Sequence, residues 1–469
     1  MKRDTYLAKN TALFALNSIG TRLITFLLVP LYTNAFVTSE YGGVDLVTAI
    51  ATILVPIITL NIGEAVMRFS LDENADKDKI LNIGLFFAGL SLLFGTSVFV
   101  VLRIFTQVKV NGWIVYLYCI SQALYQTASC NLRGREKLLQ YAIGNIIATF
   151  LSAILNILLL LIVKMGVNGY FLAFAIAYLV ACVYCAIVGD YFGALRRFSI
   201  DRKLMKNMVK FSIVLVPNSL MWWIMNSSDH VMVTAMIGVA ANGIYAVSYK
   251  LPSILSALSS VFNQAWSYSA IHEDKSEDRE SFNNNMYDRL ARFLLIVTVA
   301  LICCMKPFMR VYVEKTYYEA WKYTPYLLIG NYFLTMATFL STFYTVHKDS
   351  KGFLFSGTIG AFINIMLNAL LIPTIGIHGA ALATCVSYIC VYIYRACDTR
   401  KYMKLTILKP VYIISYVVML ISAFVMFVPG WKAQAALVTA VVLVVALNWS
   451  FVKECFQLGN RVVRKLIRR

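Results

Sequence analysis

Apolar stretches of about 20 residues, separated by short polar or charged breaks, recur from one end of the chain to the other. The pattern predicts helices over 8–36, 41–67, 80–103, 111–131, 140–163, 168–189, 208–237, 243–266, 289–312, 323–346, 353–373, 377–396, 408–428 and 431–452, fourteen in all. Each is long enough to cross a hydrocarbon core of about 30 Å. The fold class expected is therefore an all-α, multi-pass membrane protein.

Composition agrees with that reading. Of the 469 residues, 60% are hydrophobic and only 14% charged, too few to wet the surface of a soluble chain this long. The net charge of +19 could point to nucleic acid, but its distribution argues otherwise. With the N-terminus placed inside, inner segments hold 32 of the 42 Lys and Arg and outer segments 8, with Arg22 and Lys250 left within spans. Such a bias places both termini in the cytoplasm and sets the basic charge to topology, with no nucleic-acid partner. The opening "MKRDTYLAKN" leads into the first span without a cleavage site, so that span is expected to stay. The ten cysteines lie scattered in apolar segments and read as packing; no metal-ligand, phosphate-loop or nucleophile pattern occurs.

Internal similarity organises the spans. "GVNGYFLAFAIAY" (166–178) matches "GIHGAALATCVSY" (376–388) at an offset of 210, and upstream "ILNILLL" (154–160) echoes "MLNALLI" (366–372). "GGVDLVTAIATIL" (42–54) matches "GIYAVSYKLPSIL" (243–255) at an offset of 201. Spans 1–6 and 7–12 thus read as two six-helix lobes, parallel repeats about an axis along the membrane normal, with two extra C-terminal helices. The domains expected are an N-lobe over 1–189, a basic cytoplasmic linker over 190–207, a C-lobe over 208–397, and the last two helices with a basic tail over 398–469. Two rocking lobes suit a transporter, and two in one chain make a monomer sufficient.

Charges inside spans are costly and mark candidate function. Arg22 lies about 20 Å along the first helix from Lys9 and reads as a cavity cation. Lys250 stands without another charged residue from 231 to 266, and a hairpin of the seventh and eighth spans would bring it to the depth of Asp229 as a switchable pair. Asp45 and His230 are further candidates for ion coupling. Glu64 and Arg68, four apart, share a helix face and read as an ion pair or part of an inner gate. Pro217 and Pro252 are candidate bends.

The strings "PNSLMWWIMNSSDHVMVTAMIGVAANGIYAVSYKLPSIL", "FNQAWSYSAIHE", "LNALLIPTIGIHGAALATCVSY" and "GEAVMRF" resemble the bacterial polysaccharide flippases of the multidrug/oligosaccharidyl-lipid/polysaccharide exporter superfamily. One departure is His230, where an Arg commonly follows the Asp. The resemblance implies a plasma-membrane flippase that is not an enzyme. It would carry a polyprenyl-pyrophosphate-linked oligosaccharide outward by alternating access for capsule, exopolysaccharide or O-antigen assembly. Its cavity would be cationic, with Arg22 and Lys250 matching the places of cavity cations. No cofactor is implied beyond a coupling proton or sodium ion; membrane lipids and other polysaccharide-assembly proteins are the implied partners. The alternatives are a flippase of a lipid-linked peptidoglycan precursor and a cation-coupled drug antiporter, the latter needing an acidic cavity of Asp45, Glu64 and Asp229. A membrane polymerase is disfavoured by the short outer connections.

Overall fold

The computed structural model describes residues 20–72, 74–105, 110–272 and 276–457. The start of the first predicted span (8–19), part of the polar loop after the eighth, and the basic tail from 458 lie outside the described residues. Among the described residues the regular structure is entirely helical.

The chain begins with a helix over 20–27 (α1), α2 (Val29–Ala35), α3 (Thr38–Ile58), α4 (Ile62–Ser70), α5 (Lys77–Phe105) and α6 (Gly112–Gly134). It continues through α7 (Leu138–Ile157), a π-helical turn (Leu158–Ile162), α8 (Gly166–Val188), α9 (Tyr191–Arg196), α10 (Arg202–Met236), α11 (Val239–Ser248) and α12 (Lys250–His272). The remainder is α13 (Arg279–Tyr312), α14 (Thr324–Val346), α15 (Ser350–Ile375), α16 (Ile377–Asp398), α17 (Pro410–Val425) and α18 (Trp431–Leu447), with a further helix at Trp449–Gln457 bent 70° from α18. Among the described residues eight helices are long and apolar enough to cross a membrane, or nine if that bent pair is one span.

Polar residues at helix ends set the starts. Asp201 accepts from the amides of Lys203 (2.8 Å) and Leu204 (3.1 Å) ahead of α10, and Asp349 accepts from Gly352 (2.9 Å) ahead of α15. Two of the breaks within predicted spans have a plain local cause. The second span, 41–67, stops at Ile58 and restarts at Ile62, because Leu60 and Asn61 take left-handed conformations (φ 49° and 55°) and the Asn61 amide reaches back to the Pro56 carbonyl at 2.8 Å. The eighth, 243–266, is interrupted at Tyr249. Pro252 has no N–H to offer the carbonyl four residues earlier, which is Ser248, and its ring crowds that group. Pro217, by contrast, sits inside α10 without interrupting it.

By packing, the chain divides into two compact units, Met1–Val247 and Ser248–Arg469. In the first, α8 packs on α6 and α7, α4 on α6, and α10 on α3 and α4. Ala173, Ala175, Ala177 and Ala181 give α8 a face small enough for close approach, and an aromatic group of Tyr32, Phe36, Tyr41, Tyr118, Tyr170 and Phe174 fills one end. In the second unit α14 is the central helix, packed on α12, α13 and α16, with α15 against α16 and α17 against α18.

The matched sequences occupy matching local structure. Gly166 opens α8 at φ +57° and Gly376 precedes α16 at φ +62°, a region that only glycine enters freely. Three residues on, Gly169 lies against the Leu159 carbonyl and Gly379 against that of Leu371. Asn156 and Asn368, which align, are both fully buried. The first copy has two more residues between its Asn and the opening Gly (156 to 166 against 368 to 376), and the π turn and left-handed Lys164 lie within that interval.

Candidate functional site

In the first unit α3, α10 and α11 bring ionisable groups together inside apolar segments. α3 and α11 meet at Gly42 and Gly243: a Cβ on Gly42 would strike the Val239 carbonyl oxygen, and one on Gly243 that of Thr38. This close approach lets the neighbouring Asn242 donate to the Gly42 carbonyl at 3.0 Å. The same amide nitrogen donates to Asp45 Oδ2 at 3.1 Å.

α10 supplies the partner groups. His230 Nδ1 lies 2.6 Å from Asp45 Oδ2 and 3.2 Å from Asn242 Oδ1. Both neighbours are acceptors, so Nδ1 carries a proton, which leaves Nε2 as the site of gain or loss. Nε2 is 4.0 Å from Asp229 Oδ1. Asp229, only 1% exposed, accepts from the Tyr245 hydroxyl at 2.6 Å and from the His230 amide at 3.1 Å. The Tyr245 ring stands 5.1 Å from the imidazole. Two carboxylates thus flank one imidazole, with Asn242 and Tyr245, both fully buried, holding each carboxylate in place. Such a group can exchange a proton, or a cation for a proton, with little rearrangement.

Sequence reasoning named Asp45, Asp229 and His230 separately, and the structure joins them. Asn242 and Tyr245 were missed; the signal was their place on either side of the repeat glycine, in "ANGIY". Trp223 ties α10 to α3 through its indole, which donates to the Ala49 carbonyl at 2.7 Å, and Asn61 reaches Ser219 at 3.4 Å.

Arg22 is exposed on α1. Lys250 is the first residue of α12, and its carbonyl accepts from the Ser253 hydroxyl at 2.7 Å. The expected Glu64–Arg68 pair is corrected: Arg68 pairs with Asp72 at 2.6 Å, and Glu64 turns to Arg133 of α6 at 3.8 Å. Asp72 also stands four residues from Arg68, at the exposed end of α4, while Glu64 lies on the face packed against α6. Arg395, counted with the inner connections, is instead buried within α16. It donates to Ser356 Oγ and the Ala337 carbonyl at 2.9 Å each, with Phe353 5.4 Å away. Among the described residues no group of three His, Cys, Asp or Glu is placed to hold a metal ion.

The profile of a family described as "Polysaccharide biosynthesis protein" matches residues 7–273, more than half of the chain. The chain belongs to the polysaccharide biosynthesis protein family. The fold of this family member is similar to that of the lipid II flippase MurJ in an inward closed conformation, with TM-score 0.69, 15% identity, and 95% of this chain and 100% of that one covered. It is also similar to a MOP superfamily transporter from Pyrococcus furiosus (TM-score 0.60, 12% identity, 84% and 95% covered), for which a binding pocket of reversed polarity is described. A MATE transporter from Vibrio cholerae aligns with TM-score 0.54 and 12% identity over 86% of this chain and 98% of that one. A comparison with curated protein sequences finds no match. The fold is of the type shared by these solved structures.

Proposed function

We propose that this protein is a flippase. It moves a polyprenyl-pyrophosphate-linked oligosaccharide from the inner to the outer leaflet of a bacterial plasma membrane by alternating access, for capsule, exopolysaccharide or O-antigen assembly. The observation that carries the reading is the family match over residues 7–273 on a fold similar to a lipid II flippase. The chain crosses the membrane fourteen times with both termini inside, as two six-helix copies and two added helices, and acts as a monomer. Membrane lipids and other polysaccharide-assembly proteins are its partners.

Arg22 and Lys250 are assigned to the pyrophosphate, whose charge they complement. Asp45, His230 and Asp229 are assigned to coupling by a proton, since the imidazole stands between two carboxylates and its Nε2 can gain or lose a proton; sodium is the other ion such a site would take. Glu64 and Arg68 remain inner-gate residues, now through Arg133 and Asp72. The fold similarity to a lipid II flippase favours a second reading, transport of a lipid-linked peptidoglycan precursor. The buried carboxylate of Asp229 and the half-buried one of Asp45 give the drug-antiporter reading its foothold.

Proteoliposome transport separates these readings, using a fluorescent polyprenyl-pyrophosphate oligosaccharide, a lipid-linked peptidoglycan precursor and a cationic dye. Movement of the oligosaccharide lipid, lost in Arg22→Ala and Lys250→Ala proteins that still insert, is the expected result. Dye movement without glycolipid movement overturns the proposal.

A further inference from the structure

A cleft of about 570 Å³ opens in the second unit, within the ~300–1,000 Å³ typical of small-molecule sites. Its described lining comes from α12 and α14: Ser256, Ser259, Ser260, Asn263, Thr335 and Thr338, with Leu334. No charged side chain is among them.

The hydroxyl protons are spent inside the protein. Ser260 donates to the Ala257 carbonyl at 2.8 Å, Thr338 to Leu334 at 2.9 Å, and Ser259 to Leu255 at 2.7 Å. Thr335 donates to Ser259 Oγ at 3.1 Å, and Ser256 to Asn331 Oδ1 at 2.6 Å. Each hydroxyl oxygen still has acceptor capacity. Among the described residues Asn263 Oδ1 is a buried acceptor with no hydrogen-bond partner, and such an atom costs free energy until a donor meets it. The cleft therefore presents hydroxyl acceptors that need donors, beside the Asn263 amide, which both accepts and donates. A phosphate offers acceptors only and fits badly. A cationic drug offers donors but finds no carboxylate in the lining to offset its desolvation. An uncharged polyol supplies many donors without charge.

We infer that this cleft binds neutral sugar hydroxyls of the transported glycan, with the Asn263 amide and the Thr338 and Ser260 hydroxyl oxygens as its polar contacts. The inference rests on the flippase reading and assigns the glycan, as distinct from the pyrophosphate, to α12 and α14.

The test uses full-length protein in lipid nanodiscs and two probes: a polyprenyl pyrophosphate carrying a neutral disaccharide, and the same lipid without sugar. Wild type should bind the glycosylated lipid roughly tenfold more tightly. Asn263→Leu and Thr338→Val should each erase most of that preference and leave the bare lipid unaffected. Thr338→Ser should keep it. Asn263→Leu removes an unpartnered polar atom, so its fold should be at least as stable as wild type. Preference retained in both variants, or both probes weakened alike, overturns the assignment while the flippase reading stands. Wild type binding the bare lipid without preferring the glycosylated one overturns it too. If wild type binds neither lipid, the flippase reading fails and the sugar site with it.

Discussion

Gly42 and Gly243, equivalent in the two sequence copies, face each other backbone to backbone. Each stands against the carbonyl of the residue four before its partner, Val239 for Gly42 and Thr38 for Gly243, which are themselves equivalent at the offset of 201. The contact is thus two-fold symmetric at atomic detail. It sets the distance at which Asn242 meets Gly42 and Asp45.

Alanine at either glycine should force α3 and α11 apart. Gly→Ala within a helix ordinarily gains up to about 1 kcal/mol, as expected for Gly357, which has nothing within 4 Å of its Cβ position. Gly42→Ala and Gly243→Ala should instead lose about 1–3 kcal/mol to overpacking. Thermal unfolding in detergent, with Gly357→Ala as the control, reads the difference in sign.

Transport should depend on pH through His230. The groups facing its imidazole are Asp45 from α3, its neighbour Asp229 on α10, and Asn242 and Tyr245 from α11. His230→Gln keeps a hydrogen-bonding side chain but removes the ring nitrogen that can gain and lose a proton. Its initial transport rate between pH 6 and 8 should become nearly flat, whereas wild type should vary several-fold. A His230→Gln profile parallel to wild type would remove the coupling role.

Arg395→Lys should destabilise the second unit. A single ammonium cannot span Ser356 Oγ and the Ala337 carbonyl as the guanidinium does, and one buried acceptor loses its partner. The cost should be about 1–3 kcal/mol in the same unfolding assay.

Acid should release a polar staple at the start of α15. The Asp349 carboxylate is held at about 2, below its ordinary 3.8, by the Gly352 amide, then the Tyr402 hydroxyl and Lys401. Lys401, bonded to Asp398 and Asp349, is correspondingly raised. A depressed carboxyl stabilises the fold above its unfolded value, and that contribution is lost as pH falls through the folded value. Asp349→Asn should therefore lower the unfolding temperature at pH 6, and the gap to wild type should close between pH 4 and pH 2.

The apolar runs were legible because a helix in hydrocarbon has one length and one composition. The span read as 140–163 is observed at Leu138–Ile162, and 377–396 at Ile377–Asp398. The breaks were not legible, since hydropathy is blind to the left-handed turn at Leu60 and Asn61. Asp45 and His230 could be suspected singly as costly residues, but they are 185 positions apart, and nothing local to either announces the other. The hairpin argument set Asp229 beside Lys250 by depth and overlooked Tyr245, whose hydroxyl lies 2.6 Å from the Asp229 carboxylate. Glu64 and Arg68 do not pair because Arg68 has acidic residues four away on both sides, and spacing alone does not choose between them.

The π turn at Leu158–Ile162 carries a practical corollary. The first copy is two residues longer there than the second, yet Gly169 and Gly379 dock on the equivalent carbonyls of Leu159 and Leu371. The joint works as a slack-absorber: chain length varies within it while the next helix stays seated. An epitope or spectroscopic label spliced in at 163–165 should thus leave α7 and α8 in register, giving a reporter that leaves the packing of the first unit as it is.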